Sequence, residues 1–151
     1  MTGLNHAVTG ALVAAAINKP AIALPAALLS HFAADAIPHW NYYIKPHIAR
    51  RQVVMFADLI LTLALIDVLA LTVDANPYLV IAGGLLGFLP DMMWLRFFIT
   101  GRPSITGNPK RLINRIRQFH HWIQWSETGK GILVEAVWFP LMLWLIYQVH
   151  H

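Results

Sequence analysis

Three stretches of the chain are apolar over the length that a membrane-crossing helix needs, and this constrains the fold more than any other feature. They are VVMFADLILTLALIDVLALTV (53–73), YLVIAGGLLGFLPDMMWLRFFIT (78–100) and GILVEAVWFPLMLWLIYQV (131–149). About 20 apolar helical residues cross a hydrocarbon core. With 58% hydrophobic and 12% charged residues, a chain of 151 residues has too much apolar surface to bury in water. The sequence therefore predicts one all-α integral membrane domain over 1–151.

The region before these stretches is predicted to form a helical hairpin over 6–37. Its first apolar run, HAVTGALVAAAI (6–17), is too short to cross the membrane alone, and NKP (18–20) interrupts it. Pro20 suits the first position of a second helix, and Pro38 ends or kinks that helix. Further along, the spacing of Gly83 and Gly87 allows another helix to approach closely. The predicted fold is thus a hairpin plus three transmembrane helices.

Most basic residues lie in two connections, 45–51 and 101–130, whereas DANP (74–77) has none. Lys19 lies outside these connections. The positive-inside rule predicts that both basic connections are cytoplasmic. We therefore expect a multi-pass protein of the cell (inner) membrane, whose net charge of +4 favours anionic lipid headgroups. Membrane lipids are the expected partners and nucleic acid is not, while a homodimer is compatible with the sequence.

One basic connection has a helical pattern of its own, over 109–125. Asn108 suits an N-cap, and Pro109 suits the first helical position. Apolar residues recur there at three- and four-residue spacing and share one face: Leu112, Ile116, Phe119 and Ile123. The pattern predicts an amphipathic interfacial helix on the cytoplasmic leaflet.

Ionisable residues from every segment fall at one depth, near the predicted cytoplasmic face. They are His6, His31, Asp35, His39, Asp58, Asp91, His120, His121, Glu127 and Glu135. Ionisable groups inside a membrane are costly, so this concentration indicates function. Asp67 is the exception, because it lies about 13 Å deeper than Asp58 along the same helix. We assign Asp58 to the site and a packing hydrogen bond to Asp67. Glu135 stays open between a site residue and a partner of Lys130 or Arg102.

Three of these residues have the spacing of a metal site. His31 and Asp35 lie four residues apart on one helix face, and the break at Pro38 lets His39 fold back beside them. Because the chain has no cysteine, nitrogen and oxygen atoms must hold any metal. The donors suit zinc or another divalent ion, and their number accommodates one to three ions. The alternative is a hydrogen-bonded cluster that stabilises helix packing.

A divalent ion at headgroup depth would turn water into a nucleophile. The expected target is a phosphoester of a lipid phosphate or phospholipid. Four basic side chains are candidates for holding its oxygens: Arg96, Arg102, Lys110 and Arg111. His121 is a candidate proton shuttle. Glu127 is either a general base or a solvated loop carboxylate.

The stretch HFAADAIPH (31–39) resembles the H-F-x-x-D-x-x-x-P-x-H motif of zinc-dependent phospholipases C and single-strand nucleases, which bind a cluster of zinc ions. The present stretch is shorter between the aspartate and the last histidine. The family's later H-x-x-x-E pair is absent, since His120 and His121 are followed at that spacing by Gln124 and Trp125. The resemblance implies that zinc is the ion.

A broader resemblance covers most of the chain. NHAVTGALVAAAI, LLSHFAADAIPHW, GFLPDMMW and the later HH are similar, in order, to small membrane proteins of the YdjM-like group, which are described as metal-dependent hydrolases. The group often reads Leu-Pro-Asp-x-Asp-His where this chain has LPDMMW (89–94). The resemblance implies that His6, Asp91 and one of His120 or His121 complete the ligand set. The predicted metal ligands are then His6, His31, Asp35, His39, Asp58, Asp91 and His120.

The sequence features are consistent with two functions from different classes. The first is a membrane-embedded, metal-dependent hydrolase of a phosphoester, because nitrogen and oxygen donors concentrate at headgroup depth. The second is a non-enzymatic membrane protein, either an ion or proton carrier or a scaffold, in which the same cluster fixes helix packing. A carrier would need polar residues across the whole membrane depth, and only Asp67 lies near the bilayer centre, which counts against a carrier.

Overall fold

The computed structural model describes residues 1–40, 42, 48–95, 99 and 111–149, and this part of the chain is all-helical. The helices are α1 (Gly3–Ile17), α2 (Pro20–Asp35), α3 (Ile48–Thr72), α4 (Pro77–Phe88), α5 (Leu112–Ile123) and α6 (Gly131–Gln148). A 3-10 segment, η1 (Leu89–Trp94), follows α4 directly. The prediction of an all-α fold is confirmed for these residues.

Three helical stretches are long and apolar enough to cross a membrane, as predicted. They are Arg50–Thr72, Pro77–Trp94 and Gly131–Gln148. The second differs from its predicted course, because the α-helix ends at Phe88 and tightens into η1 over Leu89–Trp94. Pro90 explains this change, since it lacks the N–H that an α-helix would use and its ring crowds the preceding turn.

The N-terminal region forms two helices that pack against each other. α1 begins at Gly3, before the predicted start, with Thr2 as its N-cap. It ends where Asn18 adopts a left-handed conformation (φ 50°) and donates its N–H to the carbonyl of Ala14. Pro20 opens α2, as the sequence predicts, and that helix ends at Asp35. That this pair lies in the membrane as a hairpin stays a prediction.

α1 is the central helix of the described structure, because it contacts α2, α3, α4 and α6. α3 packs through one stripe at three- and four-residue spacing: Asp58, Thr62, Ile66, Leu69 and Val73. Its other faces expose large apolar side chains, among them Ile60, Leu63 and Leu71. Exposed apolar surface of this kind suits contact with lipid.

Glycine allows α1 and α4 to approach closely. A Cβ added at Gly10 would lie 2.3 Å from the carbonyl oxygen of Gly83 and 2.9 Å from the Cα of Gly87. A Cβ added at Gly83 would lie 2.3 Å from the Cβ of Ala14 and 2.7 Å from the carbonyl oxygen of Gly10. These contacts confirm the expectation that Gly83 and Gly87 serve close helix packing. The approach also fixes α1 relative to η1, the segment that follows α4.

We predict that Gly83→Ala destabilises the protein by about 1–3 kcal/mol, because its methyl group meets the backbone of α1. Gly84→Ala is the matched control, since its Cβ would lie closest to side-chain atoms of Ile66, at 2.8 Å, and only at an ordinary contact distance of 3.5 Å from the backbone oxygen of Ala7. Thermal unfolding of both variants in one detergent measures the difference. Equal losses of stability would contradict the backbone contact as the cause.

Candidate metal centre

Four ionisable side chains from three segments meet inside the helices. His6 of α1, His31 and Asp35 of α2, and Asp91 of η1 each offer one ligand atom, and these atoms lie within 4.8 Å of one another. Hereafter we call these four residues the donor group. The side chains of His6, His31 and Asp35 are fully buried, whereas that of Asp91 is 16% exposed. Two imidazoles and two carboxylates are a ligand set that could hold a divalent metal ion.

Asp35 lies at the centre of these contacts. Its Oδ1 atom is 3.1 Å from Nε2 of His6 and 3.8 Å from Nε2 of His39, and the amino group of Met1 contacts it as well. Its Oδ2 atom is 3.2 Å from Nε2 of His31 and 2.9 Å from Nε2 of His120. A buried carboxylate must be paired or coordinated to be tolerated, and Asp35 faces imidazoles from several segments.

Local structure explains how the donor group assembles. His31 and Asp35 are one helical turn apart, so both point to the same side of α2. The ring of His6 stacks on the ring of His31 with centroids 3.9 Å apart. The tightened turn after Pro90 brings Asp91 within 3.7 Å of His6 and 3.8 Å of His31. A regular α-helix through 89–94 would direct Asp91 differently.

Backbone carbonyl groups orient two of the imidazoles. Nδ1 of His31 donates to the carbonyl oxygen of Gly87 at 2.7 Å, and Nδ1 of His39 donates to that of Ile37 at 2.8 Å. In its neutral form each ring therefore presents an unprotonated Nε2 to the centre, which is how a second partner commonly prepares a histidine ligand. Nε2 of His39 is buried and makes no hydrogen bond within the described residues. Such an orphaned nitrogen beside Asp35 fits a cation site.

His39 is held by the segment that follows α5. Its carbonyl oxygen accepts from the N–H of Thr128 at 2.9 Å, and Ser126 donates to Ile37 at 2.9 Å. A Cβ at Gly131 would lie 2.0 Å from the carbonyl carbon of His39, so this contact requires glycine. Burial, and then the nearby amino group of Met1, lowers the pKa of the His39 imidazole. The ring is thereby kept in the neutral form that binds metal.

The structure places Asp58 outside the donor group. Its carboxylate accepts from the N–H groups of Gly3 at 2.8 Å and Leu4 at 3.3 Å, and from the hydroxyl of Tyr42. Because α1 begins earlier than predicted, its first N–H groups meet Asp58, which acts as an anion at a helix N-terminus. Burial and the Asp58 carboxylate raise the pKa of the Tyr42 hydroxyl, so this group remains a donor.

Glu135 has a similar role on α6. Its Oε2 accepts from the N–H of Thr2 at 3.0 Å, the Thr2 hydroxyl at 2.7 Å and the Asn5 amide at 2.9 Å. Its Oε1 accepts from the N–H of Trp40 at 2.7 Å. Among the described residues Glu135 forms no ion pair with Lys130, and Arg102 lies outside them. Glu135 instead joins the start of α1, which carries His6, to the residue after His39.

The remaining predicted site residues divide into three sets. His120 is buried, and its Nε2 lies 3.5 Å from Asp91 and 2.9 Å from Asp35. The exposed candidates are His121, Glu127 and Arg111. Asp67 is exposed on α3, and the packing hydrogen bond predicted for it is not found within the described residues. Arg96, Arg102 and Lys110 lie outside the described residues.

Two residues beside His120 are ones to which the sequence argument gave no role. Trp94 donates its indole N–H to Nδ1 of His120 at 3.0 Å. Gln124 donates its amide to Oδ2 of Asp35 at 3.2 Å. The spacing of His120 and Gln124, one helical turn apart on α5, was the available signal for the second residue. Trp94 follows the helix break at Pro90, and no sequence signal predicts its direction.

Comparison with protein-family models, with curated proteins and with solved structures finds no match for this chain. The two family resemblances in the sequence therefore remain predictions.

We predict that Asp58→Asn destabilises the protein by about 2–4 kcal/mol, because the amide turns a donor toward N–H groups that need an acceptor. Asp74→Asn is the matched control: this carboxylate is exposed, so the expected change stays within about 0.5 kcal/mol. Thermal unfolding in detergent compares them. A stable Asp58→Asn variant would show that α1 does not depend on this anion.

Proposed function

We propose that this chain is a membrane-embedded, metal-dependent hydrolase that cleaves a phosphoester of a lipid phosphate or phospholipid. The observation that carries the proposal is the donor group, in which two imidazoles and two carboxylates converge among buried apolar helices. Burying so many ionisable groups without a ligand is costly. A divalent cation bound there would offset that cost and supply a reactive centre.

The donor atoms favour zinc, which binds imidazole nitrogen and carboxylate oxygen in tetrahedral sites. Bound zinc lowers the pKa of a coordinated water to about 7 and so supplies a hydroxide nucleophile. Four protein donors fill such a site, so a water requires one to leave or the coordination to expand. Asp91 is the donor best suited to move, because it alone of the four is partly exposed. The same exposure favours entry of water and substrate beside Asp91. Nε2 of His39 makes no hydrogen bond within the described residues and is available as a ligand for a further ion.

The surroundings of the donor group favour an amphiphilic substrate. α5 carries His120 to Asp35 on its buried side, while Leu112, Ile116 and Phe119 remain exposed. An exposed apolar face on a short amphipathic helix is typical of insertion at a membrane surface. We propose that α5 lies in the cytoplasmic leaflet of the inner membrane, so that lipid headgroups reach the donor group from their own depth.

The polar groups around the substrate remain predictions. Arg111, at the start of α5, is exposed and suits an anionic headgroup. Arg96, Arg102 and Lys110 are proposed to assist it. His121 and Glu127 stay candidates for proton transfer, since His121 lies near the end of α5 and Glu127 lies in the segment after it, which pairs with the backbone of His39. A homodimer also stays a prediction.

One observation favours the non-enzymatic alternative. Asp35, His120 and Gln124 already form hydrogen bonds that join α2 to α5, so the cluster contributes to packing without an ion. In that case the purified protein would bind no metal, and loss of a member would lower stability alone.

Metal content separates the two functions. We predict that wild-type protein purified in detergent retains a divalent ion or takes up zinc, and that His31→Ala loses it because a ligand is removed. His121→Ala is the matched control for metal content, since this imidazole is exposed beside the site. Elemental analysis gives the answer. Protein that binds none of zinc, manganese or cobalt after reconstitution would end the hydrolase proposal.

Activity tests the substrate class. We predict that the zinc-loaded protein releases phosphate or a phosphorylated headgroup from lipids in mixed micelles. Removing the ion with a chelator should lower the rate by more than about 100-fold, and zinc should restore it. Asp35→Ala should stay inactive with zinc present. Equal rates on a short-chain, water-soluble phosphoester would contradict the proposed preference for amphiphiles.

A further inference from the structure

We infer that His120 is not a metal ligand but a positioning residue: its Nε2–H donates to Asp35, and Trp94 fixes this arrangement. The inference rests on the proposed metal site and deepens it. It concerns the one imidazole that is buried beside the donor group and contacts two of its carboxylates.

The argument begins with the indole of Trp94. An indole N–H is a donor and never an acceptor. It lies 3.0 Å from Nδ1 of His120, with the two rings 5.6 Å apart. Nδ1 must therefore accept this hydrogen bond and carries no proton. A neutral imidazole keeps one proton, which is then on Nε2.

The groups facing Nε2 of His120 agree with this assignment. Oδ2 of Asp35, an acceptor, lies at 2.9 Å. Nε2 of His31 lies at 3.0 Å and is also an acceptor in the neutral ring whose Nδ1–H donates to Gly87, the form that binds a metal. Gln124 approaches both Nε2 and Oδ2 of Asp35 at 3.2 Å, and its amide N–H groups are satisfied by the carboxylate. In this form the proton on Nε2 is directed to Asp35 and His31, while Gln124 donates to the carboxylate and makes no hydrogen bond with the protonated Nε2.

A cation on Nε2 would conflict with the same contacts. The nitrogen would have to lose its proton while Nδ1 still accepts from Trp94, which leaves an imidazolate anion. Otherwise the hydrogen bond from the indole N–H of Trp94 to Nδ1 would have to break. The neutral Nε2–H form avoids both costs.

The proton on Nε2 of His120 affects the site through the carboxylate of Asp35, whose two oxygens have different partners. His120 and Gln124 donate to Oδ2, whereas His6 and His39 face Oδ1. These donors to Oδ2 hold the carboxylate plane, and a cation on Oδ1 would take the place that the amino group of Met1 occupies there. Partners of this kind orient a ligand without touching the metal.

The direct test is the protonation of His120 in the full-length, zinc-loaded protein in micelles. Long-range proton–nitrogen correlation spectra of histidine-labelled protein separate protonated, unprotonated and metal-bound ring nitrogens, and loss of one signal set in His120→Gln assigns His120. We expect a protonated Nε2 and an unprotonated Nδ1. A metal-bound Nε2 with a protonated Nδ1 would overturn the inference.

Counting coordinated imidazoles gives a second measurement. Copper(II) replaces zinc, and electron spin-echo modulation reports the number of bound rings. We expect the wild-type count in His120→Gln, which keeps an N–H where Nε2 was, and a lower count in the control His31→Ala. His120→Ala should weaken metal binding by about 10–100-fold, and His120→Gln should recover most of that loss. A lower count in His120→Gln, or no recovery, would contradict the positioning role.

These outcomes are separate from those of the hydrolase proposal. If the protein binds copper and zinc but cleaves no lipid, the hydrolase proposal fails while the count and the protonation state still decide the role of His120. If wild-type protein binds neither ion, both proposals fail.

Discussion

The carboxylate of Asp35 is the group on which the arrangement of the helices around it depends. It is fully buried, and an isolated charge in such surroundings would be strongly unfavourable. Imidazoles of α1, of α5 and of the chain after α2 surround it, so its stabilisation requires all these segments at once. α1 in turn reaches this position only because glycines let it lie directly against α4. The donor group can therefore assemble only when α1 packs closely against α4.

The buried carboxylates divide into two kinds according to what faces them. Asp35 and Asp91 face imidazole nitrogens, whereas Asp58 and Glu135 face N–H groups at the start of α1. The first kind suits a cation, and the second replaces the missing hydrogen-bond partners of a helix N-terminus. The second kind supports the first, because it fixes the first turns of α1 and with them His6.

Much of the fold follows from the sequence, because it depends on the length and continuity of apolar runs. The membrane-length helices and the first position of α2 at Pro20 are of this kind. The site is less predictable. The spacing of His31 and Asp35 predicts a shared face, but the direction of Asp91 depends on a tightened turn after Pro90. Whether an imidazole offers a proton or a lone pair depends on a contact such as that of Trp94 with His120, which no spacing encodes.

The depth argument from the sequence has a physical basis that also explains why it could not assign Asp58. α1 and α6 begin near the level where α2 ends and η1 follows α4, and α3 passes this level at Asp58. Each terminus has backbone groups without partners inside its own helix. Polar side chains collect at such a level to cap helices as well as to bind ligands. Depth therefore identifies the level of the site, and only the partners of each carboxylate identify its role.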